Sequence, residues 1–520
     1  MKHDLKWLIP ASVGLGALIA VFQPEFFLTG WLAFSLVIFI GLMALVALWR
    51  WAGSAKTLAW IIALAFLLRL GTGIALTSLL PVYGSDTEQS RSGYIFTDSW
   101  RRDNDAWALA KSDHGVWEGL QTGEFFGDQY GGMMTMSALA YRYLSPDIHR
   151  PVLIILIAAL VSAMAIPLLW KAADTVWGTK VASPAAWILA LYPDAVLFGS
   201  SQMREPFLIT FIAMTIWGFV DWLKNHHGWG WAWFAGGIAG LFLFSPGIAL
   251  LALIVTAGWY WFSGEHRRFS WWMAIAMGLV FIAGIFLVSS VLSETTLSDN
   301  NPYSVLTTWF KDASKWDLYL LTESSGMVQY LLGVLPKQLQ TPFLIGYGIA
   351  QPVLPANLFE PTIPLSRIVG SLRAIGWYVL LPLLLYGFIS AWKSPDPRER
   401  RVWLWFGVVI WFWIILVSLR AGADQWDNPR YRVIMLPWQA LFAAQAWSYW
   451  RQSHDRWLPR IIVVELSFVV VFSLWYLGRY YRVLPKFNFL AYVAFLLVFG
   501  VAILAGDVFY ERHRRRPPQG

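Results

Sequence analysis

Cysteine is absent from all 520 residues. Its absence excludes a disulfide framework, a thiolate metal site and a cysteine nucleophile, and it leaves the redox compartment open. Charge is the second scarcity. Asp, Glu, Lys and Arg make up 13% of the chain, against about 25% in an average soluble domain. So few charges cannot cover a water-facing surface. Tandem repeats and low-complexity tracts are missing as well. The opening "MKHDLKWLIPASVGLGALIAVF" has the charged start of a signal peptide but no A-x-A cleavage site. Another apolar run follows almost at once, so it reads as a retained anchor.

Apolar residues are abundant, at 58% of the chain. They fall into runs of about 17–25 residues, the length that crosses a bilayer. Candidate spans are 7–22, 26–48, 57–80, 151–170, 181–198, 206–222, 229–244, 248–262, 271–291, 370–392, 402–419, 431–450, 461–477 and 489–509. The reading is an all-α polytopic membrane protein with about 12–14 transmembrane helices. Two long connections, 81–150 and 292–369, contain segments such as "TPFLIGYGIAQPVL". Cut by Pro and Gly, these are expected to be short interfacial or re-entrant helices.

The net charge of +8 belongs to topology rather than to nucleic-acid binding. Counting sides from an inner start, Lys and Arg gather in the inner loops and in the tail "ERHRRRPPQG". Both termini are therefore expected in the cytoplasm of a plasma (inner) membrane protein, with the two long loops outside. Trp and Tyr crowd the span ends, as interfacial belts do.

The densest charge lies in the first long loop, in "IFTDSWRRDNDAWALA". Traced as a helix, Asp98, Arg102 and Asp105 share one side, and Trp100, Asp103 and Trp107 the other. Asp98 suits either a helix N-cap or a catalytic base. Asp105 suits either a solvated partner of Arg101 or Arg102, or a substrate contact. A carboxylate on an aromatic face gains proton affinity unless a cation compensates, which makes Asp103 a second candidate base. Asp103-Asn104-Asp105 also spells the D-x-D triplet that holds a divalent cation in some glycosyltransferases. A helix points those two side chains apart, so no cofactor is expected, with a divalent cation at the triplet as the alternative.

Farther along, "DQYGG" places Asp128, Gln129 and Tyr130 before two glycines. That pattern fits an ordinary turn or a cradle for a hydroxyl-rich ligand. "LYPDAVLFGSSQMREPF" brings Arg204 and Glu205 to a helix start, and "GADQWDNPRYRVIMLP" brings Asp427, Arg430 and Arg432 to another. Arg69 lies inside the third span, where an ionised group is costly and usually serves a site. Arginines gathered beside carboxylates suit an anionic group.

These features together resemble the GT-C superfamily of glycosyltransferases, in the branch of the dolichyl-phosphate-mannose protein mannosyltransferases. The shared pieces are the span with Arg69, the long loop with Asp98, Asp103 and "AWALA", the "YPD…REP" hairpin and the late "NPRYRVIMLP". Two extra N-terminal spans, and Asp-Asn-Asp where many members have Asp-Glu, are departures. On this resemblance, 1–56 holds the extra spans, 57–450 the catalytic module, and 451–520 the C-terminal spans and basic tail.

The resemblance implies a polyprenyl-phosphate-linked sugar as donor, a lipid, glycan or protein acceptor, membrane lipids around the chain, and no nucleic-acid partner. It also implies inversion at the anomeric carbon, with Asp103 or Asp98 as base and Arg430, Arg432 or Arg204 on the departing phosphate. Asp128, Gln129 and Tyr130 would orient sugar or acceptor. A cell-envelope polysaccharide polymerase or ligase shares the substrate class. A secondary transporter is favoured by Arg69 alone, because transporters place charge at midplane on broken helices within repeats.

Overall fold

The structure, a computed structural model, describes residues 2–22, 25–120, 131–225, 228–264, 335–422, 424–482 and 489–514. Among these residues every regular element is helical, as the all-α polytopic membrane reading expects. Seven helices are long and apolar enough to cross a membrane, or eight if one bent pair forms a single span. Four shorter apolar helices and the helix Leu436–Ser453 occupy further expected positions. The expected span 271–291 lies outside the described residues.

The chain divides into two compact units. The first comprises 1–261, 270–307 and 430–441. It begins with α1 (Lys2–Val21), α2 (Phe27–Trp51) and α3 (Lys56–Tyr83). The long loop then forms α4 (Glu88–Arg91), α5 (Thr97–Lys111), a 3-10 turn (Val116–Leu120) and α6 (Gly132–Leu144). Next come α7 (Pro151–Trp177), α8 (Thr179–Leu191), α9 (Pro193–Gly199), α10 (Glu205–Asn225), α11 (Gly230–Phe244) and α12 (Pro246–Phe262). Helix α7 is the core: eleven of its residues from Val152 to Ala165 are buried, and α2, α3, α8 and α10 all pack on it.

In membranes, helices gain little from leaving lipid for one another, so close packing must hold them. The α10–α11 pair shows how. A Cβ on Gly218 would lie 2.2 Å from the Phe234 nitrogen, and one on Gly237 2.4 Å from Thr215 Oγ1. The glycines permit that approach. At the N-terminal hairpin, Arg150 supplies the link: it donates to Ser145 Oγ (2.6 Å), the Phe26 carbonyl (3.0 Å) and Thr29 Oγ1 (3.1 Å).

Arg69, expected as a substrate contact, bonds backbone carbonyls in the structure. Helices α8 and α9 meet at a 55° bend, where Pro193 cannot continue the α8 ladder. The last α8 carbonyls therefore lack intrahelical donors. Arg69 supplies them, donating from Nη2 to Leu189 O (2.9 Å) and from Nη1 to Ala190 O (3.0 Å). Nε donates to Ser162 Oγ (2.8 Å) and Nη1 also to Ala65 O (3.1 Å), with the side chain fully buried. The guanidinium is spent on caps.

The second unit comprises 262–269, 308–429 and 442–520. Its described helices are α13 (Lys337–Ala350), α14 (Leu354–Phe359), α15 (Pro364–Trp392) and α16 (Pro397–Ala421). After α17 (Asp427–Val433) and α18 (Leu436–Ser453), which carry the chain across the unit boundary, follow α19 (Trp457–Tyr476) and α20 (Phe489–Arg514). The short helices α13 and α14 stand where the second loop was expected to hold them. Trp377 of α15 donates to Ile349 O at 2.8 Å, and Ser390 bonds Gln445 at 2.8 Å. Tyr386, Ala446 and Leu458 centre a packed cluster.

Candidate functional site

Helix α5 carries the site, and its neighbours set its position. Arg142 of α6 donates to the carbonyls of Leu109 (2.6 Å), Ala110 (3.1 Å) and Ser112 (3.0 Å), closing the C-terminal end of α5. Such a cation also complements the negative pole of the helix. Lys111 donates to the Pro146 carbonyl at 2.7 Å.

Asp98 lies in the first turn of α5, but it is not the N-cap, since Phe96 holds that position. Its carboxylate turns instead to Arg430, whose Nη1 donates to Oδ2 at 2.7 Å. Arg430 Nε donates to Glu205 Oε1, also at 2.7 Å. One guanidinium thus bridges carboxylates from α5 and α10, which its planar fork of donors permits. Glu205 is fully buried, whereas the Asp98 side chain remains 39% exposed.

Arg101 lies 3.2 Å from Asp98 Oδ1, Arg102 acts on both carboxylates, and Arg204 acts on Glu205. Four arginines therefore act on these two carboxylates. Burial raises the Asp98 pKa, but Arg430, Arg102 and Arg101 outweigh it and hold the carboxyl below its usual range. Asp98 is ionised at neutral pH.

Asp103, five residues on, sits in a different setting. Tyr141 donates to Oδ1 at 2.6 Å and Tyr94 to Oδ2 at 2.7 Å, while His149 Nε2 lies 2.9 Å from Oδ2. The Asp103 side chain is wholly buried. Trp107 stacks on His149 with ring centroids 5.3 Å apart, and Tyr141 meets His149 edge-on at 4.9 Å. Burial, and then the Asp103 charge, push both tyrosine hydroxyls far above their ordinary range, so they remain donors. Both Asp103 oxygens have hydrogen-bond partners. The expected aromatic face is present, but it consists of Tyr94, Tyr141 and His149, with Trp107 behind.

Asp105 is half-buried farther along α5, and Arg204 is half-buried immediately before α10. Asp427 opens the short helix α17 that carries Arg430; its N–H donates to Asp424 Oδ1 at 2.9 Å. Arg432, on the same helix, is buried, and its carbonyl accepts from Gln439 at 3.2 Å. Asp128, Gln129 and Tyr130 lie outside the described residues. Among the described residues no group of three His, Asp or Glu side chains is placed to hold a metal. The Asp103 oxygens of the D-x-D triplet already accept from hydroxyls.

The structure thus joins Asp98, Glu205 and Arg430, with Arg204 beside them, and directs Arg69 elsewhere. Sequence reasoning missed Tyr94, Tyr141 and His149. Their only signal was an aromatic and imidazole content within the same loop, in "SGYIF", "AYRYL" and "DIHR".

The chain is an all-α, multi-pass membrane protein with an arginine-rich acidic cluster on a helical loop. No protein-family model and no curated protein matches it. Among solved structures it is similar to the archaeal oligosaccharyltransferase AglB from Archaeoglobus fulgidus in complex with an inhibitory peptide and a dolichol-phosphate. Identity there is 14% and the TM-score 0.37, over 86% of this chain and 54% of that one. It is also similar to the apo form of the Archaeoglobus fulgidus oligosaccharyltransferase, with 13% identity and a TM-score of 0.38, over 87% and 55%. The chain spans about half the length of these structures.

Proposed function

We propose that this chain is a plasma-membrane glycosyltransferase that moves a sugar from a polyprenyl-phosphate donor to an acceptor hydroxyl. The reaction takes place on the outer side, with both termini in the cytoplasm, and inverts the anomeric centre. The acceptor is a lipid, glycan or protein. The observation that carries the reading is the half-exposed Asp98, paired with Arg430 and held ionised by Arg101 and Arg102 as well.

The acceptor oxygen attacks the anomeric carbon and gives its proton to Asp98, while the bond to the lipid phosphate breaks with its electrons. The departing phosphate takes the positive charge of Arg430 and Arg204, as donors aimed at developing charge do in such reactions. A phosphate stabilised this way leaves without an acid, so one carboxylate suffices. Arg430 also sets the timing. Alone, it keeps Asp98 a weak base; once shared with the donor phosphate, it relaxes its hold and Asp98 becomes more basic. Glu205 anchors Arg430 from the buried side. Asp103 serves as a positioning residue that fixes α5, and no bound cofactor is needed.

The test is transfer from a radiolabelled polyprenyl-phosphate hexose in proteoliposomes. Asp98→Asn is expected to abolish transfer while the protein remains folded. Transfer at the wild-type rate in that variant would remove the base assignment. Uptake of free solute into sealed vesicles would point to transport instead.

A further inference from the structure

A second, chemically different site lies within the second unit. Helices α13, α15, α19 and α20 line a cavity of about 490 Å³. On α15 its wall runs from Tyr378 to Ile389, and on α19 from Trp457 to Phe468. Each stretch covers eleven helical steps, about 16 Å at the α-helical rise. That length and volume suit an extended hydrocarbon chain lying along the two helices.

Its lining is apolar and aromatic except for one group, Glu465. Glu465 sits inside α19, an apolar span, three residues from Phe468 and four from Ile461, and therefore on the same helix face. Its Oε1 is buried with no hydrogen-bond partner, and its carboxyl forms no ion pair with the described residues. Among the described residues no Lys, Arg or His lines the cavity. The other polar atoms of its lining are uncharged: the indole N–H of Trp457, and the Tyr378 hydroxyl, which donates to the Ala350 carbonyl at 3.3 Å. A carboxylate in a membrane span is costly and normally has a partner; among the described residues none supplies it. The aromatic rings of Tyr378 and Phe468, 6.3 Å apart, add faces that attract cations.

From this arrangement we propose that the groove binds a lipophilic cation, a single-chain amphiphile whose ammonium group pairs with Glu465 while its chain fills the rest. The site is separate from the proposed transferase centre and does not depend on that reading. Binding is an exchange: a proton and the ammonium compete for one carboxylate, so affinity rises with pH.

The experiment measures equilibrium binding of radiolabelled dodecyltrimethylammonium to the full chain in nanodiscs, with protein-free discs subtracted. This quaternary probe keeps its charge at every pH. The wild type is expected to bind saturably, more tightly as pH rises, and better than uncharged dodecanol competes. Glu465→Gln is expected to weaken binding by about tenfold or more, through loss of the ion pair. It removes an unpaired charge from the span, so its melting temperature should not fall. Gly346→Phe is a second variant that keeps the carboxylate but fills the groove; a Cβ at Gly346 meets nothing within 4 Å. It should block binding. Wild-type affinity in Glu465→Gln, equal displacement by dodecanol, or no saturable binding to the wild type would each overturn the proposal. Asp98→Asn should leave binding unchanged, which separates this result from the fate of the transferase reading.

Discussion

Two carboxylates on one helix, five residues apart, occupy opposite electrical settings. Asp98 faces guanidinium groups, keeps 39% of its side chain exposed, and has its proton affinity lowered. Asp103 faces two hydroxyls and an imidazole, with no exposure at all. Arginines around Asp98 favour its ionised form. Two hydroxyls and an imidazole hold both oxygens of the buried Asp103. The same residue type is thus an open functional group at one end of α5 and a closed structural joint at the other, and its partners make the difference.

That contrast is broken most directly by Asp98→Asn and Asp103→Asn measured side by side. Loss of a general base costs about 10²–10⁴-fold in rate, and transfer assays should show that drop in Asp98→Asn with little change in melting temperature. Asp103→Asn should show the reverse, a lower melting temperature with activity retained per folded molecule. Inactivity of a fully stable Asp103→Asn, beside an active Asp98→Asn, would invert the comparison.

Arg430→Ala is next in size. It leaves Glu205 buried without its cation, and breaking a buried pair this way costs about 3–5 kcal/mol; denaturation midpoints would show it. Arg430→Ala with Glu205→Gln should recover much of that stability but not activity. Recovery of both would remove Arg430 from the chemistry.

The pH profile sharpens the comparison further. The folded pKa of Asp98 lies below its unfolded value, so its stabilising contribution is present above the unfolded pKa and is lost as pH falls through the folded one. Half-exposure keeps that contribution small. Activity requires the ionised form, so the acid limb of transfer should lie below the usual carboxylate range. Arg101→Gln should move the limb upward; a limb that stayed in place would show that Arg101 has no hold on Asp98. The smallest effects belong to Tyr94→Phe and Tyr141→Phe. Each removes one hydrogen bond to a charged group and should cost about 1.5–3 kcal/mol of stability, read by thermal melts, with the pH limb unchanged.

Much of this was legible in the residues. Apolar run length predicts helices at thirteen of the fourteen expected positions, all within the described residues. The phase of "IFTDSWRRDNDAWALA" predicts α5, and charge scarcity alone marks Asp98, Glu205 and Arg430 as unusual. Which of them meet was not legible. Arg430 reaches Asp98 across 332 positions and Glu205 across 225, and no local pattern encodes such distances. Arg69 is a related case. A buried arginine in a span reads as a ligand site, but its partners are carbonyls 120 and 121 residues away, exposed by a helix break.

By itself, the sequence determined that the chain is a bundle of apolar helices with its charge held in loops, because hydrocarbon tolerates little else. It also determined the chemistry available: carboxylates, arginines and aromatics, with no thiol. Only the tertiary structure decided which aspartate stays open, which arginine faces it, and which carboxylate is left alone in a span. Proton affinity and charge pairing depend on neighbours within a few ångströms, and in a folded helical chain those neighbours come from distant parts of the sequence.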